Sequence, residues 1–137
     1  LAAIYLPVLS DVLRLCHERG QSVVVRGGVT GLVEGAESTP EDVLVSLERM
    51  NRIESVDEMD GVAVIQAGAV LQAVQEQLAD RGFLFPLDFG ARGSATIGGA
   101  TATNAGGLNV LRYGMMRNLV LGLEAVLDGL ERIRAAS

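Results

Sequence analysis

The sequence has no tryptophan, one cysteine, one histidine and only 4% aromatic residues among its 137 positions. A single cysteine, Cys16, excludes a disulfide framework within the chain, and its place on the apolar side of a predicted helix indicates a buried thiol. The single histidine, His17, lies on the polar side of that helix and does not by itself build a metal site. No run of 18 or more apolar residues occurs, so we expect no membrane span.

Positive charge is also scarce, with 11 Lys and Arg against 17 Asp and Glu and a formal net charge of -6. Nucleic-acid binding depends on neutralising phosphates with Lys and Arg, so this balance argues against a nucleic-acid partner. The first residues lack the basic and then apolar pattern of a secretory signal peptide. From these absences we expect a cytoplasmic protein. Because the chain starts without Met and inside a predicted strand, we also expect it to be a piece of a longer one.

Small aliphatic residues and glycine are abundant, with 49% hydrophobic residues and 17 glycines. Such an interior is typical of parallel or mixed sheets packed on helices. Residues 2–6 and 21–26 are apolar runs that predict strands, and the helix between them would begin at Ser10 as N-cap and end at Gly20. Its apolar stripe at helical spacing comprises Leu9, Val12, Leu13 and Cys16. These elements predict a compact βαβ unit with a parallel strand pair.

Further along, residues 43–47 predict a strand, and residues 51–56 and 62–66 predict two strands joined as an antiparallel hairpin. A helix over residues 70–80, ended by Gly82, follows. The fold class is therefore α+β (α/β), with a small βαβ layer first and a partly antiparallel region later.

The end of the chain predicts a strand over residues 119–127 and a hairpin turn at Asp128 and Gly129. The tail at residues 130–137 is a weak partner strand, so we expect the chain to stop before its sheet is complete. An unfinished sheet leaves an open edge, which makes homodimerisation by edge pairing an expectation.

Two glycine-rich segments, together with Gly35 close to the first of them, hold ten of the 17 glycines. The first glycine loop, residues 27–31, directly follows a predicted strand, with Gly35 shortly after it. The second glycine segment, residues 90–107, adds four Ser and Thr hydroxyls and almost no large apolar side chain. Small residues leave backbone N–H groups open to a phosphate, and glycine-rich turns at strand ends are where α/β sheets bind phosphates. A plain turn and a flexible linker remain the alternatives for the two segments.

The two segments could enclose a pyrophosphate from opposite sides, with residues 94–99 opening a short helix whose N-terminal amides point at phosphate. Hydroxyl donors would come from Thr30, Ser94 and Thr96. Arg26 and Arg92 could add positive charge near the phosphates, although each could equally be an ordinary surface residue. No nucleophile, acid–base pair or metal cluster is evident, so the residues indicate a phosphate or dinucleotide site without a catalytic residue of its own.

The order of these segments resembles the FAD-binding domain of flavin-linked oxidases and dehydrogenases related to vanillyl-alcohol oxidase and p-cresol methylhydroxylase. Within that group it is most similar to the D-2-hydroxyacid dehydrogenases, which include D-2-hydroxyglutarate dehydrogenase, D-lactate dehydrogenase and the flavoprotein subunit of glycolate oxidase. The blocks that carry the resemblance are VVVRGGVTGL (residues 23–32), VSLERMNRI (45–53), QAGAVLQAVQEQLADRGFLFPLDFGARGSATIGG (66–99) and ATNAGGLNVLRYGMMRNLVLGLEAVLDG (102–129).

The resemblance implies a two-part FAD-binding fold, with residues 1–60 as a first βαβ subdomain and residues 61–137 as the start of a second. It implies non-covalent FAD, with the pyrophosphate between the subdomains, and hydride transfer from a small D-2-hydroxyacid to the flavin in the full-length enzyme. The electrons would pass to a quinone, a flavoprotein or oxygen. The implied FAD-binding residues are Arg26, Gly27, Gly28, Val29, Thr30, Gly31, Pro86, Gly93, Ser94, Ala95, Thr96, Ile97, Gly98, Gly99, Thr103, Asn104, Gly106 and Gly107.

Two positions depart from the family pattern in the first half. Val29 stands where Gly or Asn is usual, which predicts a position with φ > 0, and Glu34 occupies a usual Gly position. The substrate domain of the family, with its metal-binding and catalytic histidines, is not in this sequence, so we expect this chain alone to be inactive. The alternatives are a diverged domain without flavin that serves as a fold fragment or interaction module, and an enzyme of the UDP-N-acetylmuramate dehydrogenase type.

Overall fold

The structure, a computed structural model, describes residues 6–127 and 132–136. Its helices are α1 (Leu6–Glu18), α2 (Leu71–Ala79), α3 (Ile97–Ala102), α4 (Val110–Tyr113) and α5 (Met116–Leu119). Its strands are β1 (Val23–Arg26), β2 (Val43–Ser46), β3 (Ile53–Asp57), β4 (Val62–Ile65), β5 (Gly122–Val126) and β6 (Arg132–Ala136). They form three two-stranded sheets, of which β1–β2 is parallel and the other two are antiparallel. Within the described ranges, every helix is too short or too polar to cross a bilayer.

Helix α1 confirms the predicted stripe but not the predicted start. It begins at Leu6, so Ser10 lies inside the helix rather than at its N-cap. Pro7 is compatible with this earlier start because a first-turn residue has no intrahelical partner for its N–H. The helix ends where predicted: Gly20 takes φ 61, and the N–H of Gln21 reaches the carbonyl of Cys16 at 2.8 Å. Of the strand predicted before it, all residues except the helical Leu6 lie outside the described part of the chain.

The parallel strand pair that the structure describes is another than the predicted one, whose first strand falls almost wholly on residues outside the described part of the chain. Strand β1 pairs with β2, in register from Val23 opposite Val43 to Arg26 opposite Ser46. The connection between them is the loop of residues 27–42 rather than a helix. Because the two strands are parallel, their carboxyl ends lie at the same edge of the sheet, and the first glycine loop begins at that edge.

The central part of the chain follows the predicted pattern. Strands β3 and β4 form the antiparallel hairpin, with a register irregularity between Ile53 and Ser55. Helix α2 buries its three predicted apolar residues, which are Leu71, Val74 and Leu78. Gly82 takes φ 81 just after the helix, in agreement with its predicted role as the residue that ends it.

The C-terminal tail forms the partner strand that its sequence indicates only weakly. Strand β6 pairs antiparallel with β5 from Gly122 opposite Ala136 to Val126 opposite Arg132. The strand predicted over residues 119–127 is shorter at its start, because α5 occupies Met116–Leu119. The predicted turn at Asp128 and Gly129 lies outside the described residues.

The described residues form two hydrophobic cores. One is centred on Val45 and Met50 and is covered by partly buried residues of α1, β1 and β2. The larger one contains the buried face of α2 with α3 and Met116, and residues of the β3–β4 hairpin pack on it. The cores separate between Met50 and Ile53, so the predicted subdomain boundary at residue 60 falls inside that hairpin.

Candidate functional site

The two glycine-rich segments meet at the carboxyl end of β1. A Cβ atom on Gly27 would lie 2.6 Å from the Oγ1 atom of Thr96, and one on Gly28 would overlap the backbone carbonyl of Ser94. Neither glycine has a positive φ. Glycine is therefore needed at both positions because the second segment approaches so closely, and not because of the backbone conformation. The two segments thus form the facing walls that the sequence predicts.

The backbone amides of the first glycine loop are available to a ligand. Among the described residues, none of the N–H groups of residues 27–31 donates a hydrogen bond to the protein. A row of unpaired N–H groups without intervening side chains is the chemistry that binds a phosphate. The amides of this loop therefore stay candidate donors for a phosphate.

The amides at the start of α3 are already used within the protein. Ile97 donates to the carbonyl of Ala69 at 2.9 Å, and Gly98 donates to the carbonyl of Ala67 at 2.7 Å. The Oγ1 atom of Thr96 caps the helix by accepting from the N–H of Gly99 at 3.2 Å. The prediction that the N-terminal amides of this helix point at a phosphate is wrong, because strand-like pairing with residues 67–69 and the Thr96 cap have satisfied them.

A cleft of about 490 Å³ lies between the two walls. That volume is within the roughly 300–1,000 Å³ range of small-molecule sites. Five of the predicted residues line it, namely Arg26, Gly27, Gly28, Ser94 and Thr96. The cleft also has lining residues that the sequence did not indicate, namely Leu44, Ser46, Glu48, Asn51, Gly68 and Val70.

The remaining predicted residues lie outside this lining. Val29, Thr30 and Gly31 are exposed in the loop beyond the cleft. Pro86 is buried and lines a separate depression next to α2, where its carbonyl accepts from the side-chain amide of Asn109 at 3.0 Å. Ala95 and Ile97 are buried, and Ile97 belongs to the larger core, so their part in the site is to hold the wall in place.

The predicted residues at positions 103–107 form a structural turn. The Oδ1 atom of Asn104 accepts from the N–H of Arg117 at 3.0 Å, and Asn104 takes φ 48. A Cβ on Gly107 would overlap the carbonyl of Asp88, which shows how tightly this turn packs on the preceding loop. These residues lie between α3 and α4 in the chain, are hydrogen-bonded to α5, and do not line the cleft.

Two non-glycine residues of the loop after β1 take left-handed backbone conformations. Val29 has φ 52, in agreement with the positive φ predicted at a position where Gly or Asn is usual in the family. Glu34 has φ 58. This region costs about 1–2 kcal/mol for an ordinary L-residue, and a β-branched side chain fits it poorly. The loop therefore stores strain beside the proposed phosphate site, where glycine would have none.

Positive charge at the cleft comes from one residue. Arg26 lines the cleft, is exposed, and pairs with no acidic side chain within the described ranges. Arg92, the other predicted source of positive field, forms an ion pair with Asp88 at 2.6 Å and lines the separate depression. Attraction of an anionic ligand is thus assigned to Arg26 and the loop amides, and the carboxylate of Glu48, which lines the same cleft, opposes it.

The lining residues that sequence reasoning missed lie mainly on β2 and on the turn that follows it. The signal that could have found them is the parallel pairing, because the carboxyl ends of adjacent parallel strands meet at one sheet edge. Pairing β1 with the strand at residues 43–47 would have placed Ser46 and Glu48 beside the first glycine loop.

Comparison with known proteins confirms the resemblance inferred from the glycine segments. The family model of the FAD binding domain matches residues 8–135. The chain is 50% identical over 122 residues to the mitochondrial D-2-hydroxyglutarate dehydrogenase of Bos taurus, covering 88% of this chain and 22% of that protein. It is 48% identical over 118 residues to the Arabidopsis thaliana enzyme of the same name, covering 86% of this chain and 21% of that protein.

Solved structures agree on the fold. Alkyldihydroxyacetonephosphate synthase matches with a TM-score of 0.88 at 21% identity, covering 100% of this chain and 25% of the other. The 6-hydroxy-D-nicotine oxidase of Arthrobacter nicotinovorans matches with a TM-score of 0.81 at 21% identity, covering 94% of this chain and 28% of the other.

The chain spans about a fifth of the length of the curated relatives it matches. The predicted cytoplasmic location is wrong, because the Bos taurus, Danio rerio and Arabidopsis thaliana relatives are mitochondrial enzymes.

Proposed function

We propose that this chain, which belongs to the FAD binding domain family, holds the diphosphate of non-covalently bound FAD between its two glycine-rich walls. Two observations together support the proposal. The N–H groups of residues 27–31 donate to no described residue, and Gly27 and Gly28 closely approach the second wall. A diphosphate needs several N–H donors, and the amides of this loop, those of the cleft-lining Gly27 and Gly28 first, would supply them.

The residues of the cleft fit such a ligand. The first glycine loop would supply the N–H donors, and Arg26 would supply the positive charge. The hydroxyls of Ser94 and Thr96 lie on the facing wall, although Thr96 already uses its oxygen to cap α3. Their role would be to fix the position of the ligand rather than to take part in chemistry.

We further propose that the longer enzyme oxidises a small D-2-hydroxyacid to the 2-oxoacid, since the relatives are D-2-hydroxyglutarate dehydrogenases. Bound FAD would supply the two-electron acceptor for the hydride leaving C2 of such a substrate. The residues of this chain that line the cleft would bind and orient the ligand.

Non-covalent attachment is part of the proposal. The only histidine and the only cysteine of the sequence, His17 and Cys16, lie in α1 and are not among the residues that line the cleft. Cys16 is buried with 8% of its surface exposed. Neither side chain offers the flavin a site for a covalent bond at the cleft.

The direct test is to purify the protein, denature it and record the visible absorption spectrum of the released ligand. We expect free flavin, or uptake of added FAD by a preparation that is initially colourless. A colourless protein that also fails to bind added FAD would contradict the proposal.

The strained loop favours a second candidate function, that of a diverged domain whose flavin site has decayed. Val29 and Glu34 both hold positive φ values, and Glu34 adds a negative charge to the loop that follows β1. Replacing both with glycine separates the candidates. A gain in FAD affinity over a weak wild type would identify a decayed site, whereas FAD binding that is already tight in the wild type would favour the first proposal.

A further inference from the structure

We propose that Glu48 is a specificity residue that accepts hydrogen bonds from the ribose hydroxyls beside the diphosphate. The inference rests on the proposed function, because it assigns the ligand group that adjoins the diphosphate. It makes the cleft selective for a nucleoside diphosphate with an intact ribose diol.

The topology places Glu48 next to the phosphate wall. Strands β1 and β2 are parallel, and Arg26 at the end of one lies opposite Ser46 at the end of the other. The first glycine loop follows β1, Glu48 follows β2, and both line the same cleft. In dinucleotide-binding α/β sheets the phosphates lie at the glycine turn after one parallel strand, and an acid further along the chain binds the ribose hydroxyl. The placement of the glycine loop and Glu48 after adjacent parallel strands is analogous.

The turn that carries Glu48 is held firmly. The N–H of Glu48 donates to Oγ of Ser46 at 3.3 Å, and the N–H of Met50 donates to the carbonyl of Leu47 at 2.8 Å. Met50 is only 4% exposed, and the N–H of Gly68 reaches its carbonyl at 2.8 Å. A Cβ on Gly68 would overlap the Leu47 carbonyl, so the turn is clamped from both sides. A positioned backbone reduces the entropy lost when Glu48 binds a ligand.

The chemistry of Glu48 selects a neutral donor. Its side chain is exposed and has no hydrogen-bond or ion-pair partner in the described part of the chain. A carboxylate repels a phosphate but accepts strong, charge-assisted hydrogen bonds from O–H groups. Arg26 and the open amides therefore define the anion end of the cleft, and Glu48 defines a hydroxyl-binding end.

The test is isothermal titration of the wild type with ADP, 2′-deoxy-ADP and inorganic pyrophosphate. We expect ADP to bind roughly tenfold or more tightly than 2′-deoxy-ADP, which is the size of one lost hydrogen bond to a charged group. In Glu48→Ala the ratio should fall to about one, while pyrophosphate binds at least as tightly as before because a negative charge has gone. Glu48→Gln, which keeps an acceptor oxygen, should give an intermediate ratio.

Glu58→Ala is the matched control, since Glu58 is exposed in the β3–β4 turn and does not line the cleft. It should keep the wild-type ratio. An equal affinity of the wild type for the two nucleotides, or an unchanged ratio in Glu48→Ala, would overturn the inference and leave the proposed function standing. A wild type that takes up FAD but binds neither ADP nor pyrophosphate would overturn this inference alone, whereas a wild type that also fails to bind FAD would overturn both.

Discussion

At the scale of single residues, Val29 is a β-branched residue in a backbone conformation that favours glycine. Its φ of 52 favours glycine, and its side chain is 52% exposed, so little packing compensates for the strain. We expect Val29→Gly to raise the free energy of unfolding by about 0.5–1 kcal/mol, the difference between the strain removed and the extra backbone entropy of glycine. Urea denaturation measures the change.

Val33→Gly is the control for this prediction. Val33 is 80% exposed in the same loop but does not have a positive φ. Glycine there adds backbone entropy without relieving strain, so the free energy of unfolding should stay the same or fall by up to about 1 kcal/mol. Equal effects of the two substitutions would contradict the strain at Val29.

Asp42 makes the stability of the folded chain depend on pH. The Ser22 hydroxyl, and after it the backbone N–H and hydroxyl of Thr39, donate to this carboxylate and hold the pKa of Asp42 below its usual range. Because the folded pKa lies below the unfolded value of about 4, the stabilisation is present above that pH and is lost as pH falls through the folded pKa.

We therefore expect the Asp42 pKa, followed by carboxyl NMR, to lie below that of an unstructured aspartate. Ser22→Ala removes the largest cause and should move the pKa upward. Asp42→Asn should flatten the acid side of the stability profile below about pH 4. A Ser22→Ala protein with an unmoved Asp42 pKa would show that this hydrogen bond is not made in solution.

At the scale of elements, α3 depends on its N-cap. Thr96 is 7% exposed, and its oxygen accepts from the N–H of Gly99. We expect Thr96→Val, which keeps the shape but removes the acceptor, to lower the free energy of unfolding by about 1–2 kcal/mol. Thr103→Val, which removes an exposed hydroxyl at the other end of the helix, should cost much less. Comparable losses in the two variants, measured by thermal unfolding, would contradict the capping role.

The elements that the sequence predicted best are those with a strong local signal. The α1 stripe and the Leu71, Val74 and Leu78 face of α2 follow a helical period, and Gly20 and Gly82 end those helices. Such patterns depend on residues close in sequence, so local rules suffice.

Other elements depend on distant partners, which local patterns do not reveal. Pairing of β1 with β2 across the loop of residues 27–42 has no local signal. Strand β6 forms from a segment that looks weak by itself because β5 provides its partner. The amides of α3 are satisfied by residues 67–69, which no sequence pattern links to that helix.

At the scale of the whole molecule, the site was predicted in outline and missed in detail. The glycine pattern identified both walls of the cleft, since close approach requires small residues there. The contribution of Ser46, Glu48 and Asn51 was missed, because it follows from strand pairing rather than from composition. Homodimerisation through an open sheet edge stays a prediction, which analytical ultracentrifugation tests.

The central claim is that the diphosphate of FAD lies in the cleft beside the contact between Gly28 and the backbone carbonyl of Ser94. The most direct measurement is the dissociation constant of FAD for Gly28→Ala, with Gly35→Ala as control because a Cβ at Gly35 meets nothing within 4 Å. Circular dichroism checks that both variants are folded. We predict that Gly28→Ala weakens FAD binding roughly tenfold or more, since its Cβ forces the two walls apart, and that Gly35→Ala binds like the wild type. Unchanged FAD affinity in a folded Gly28→Ala protein would contradict the account.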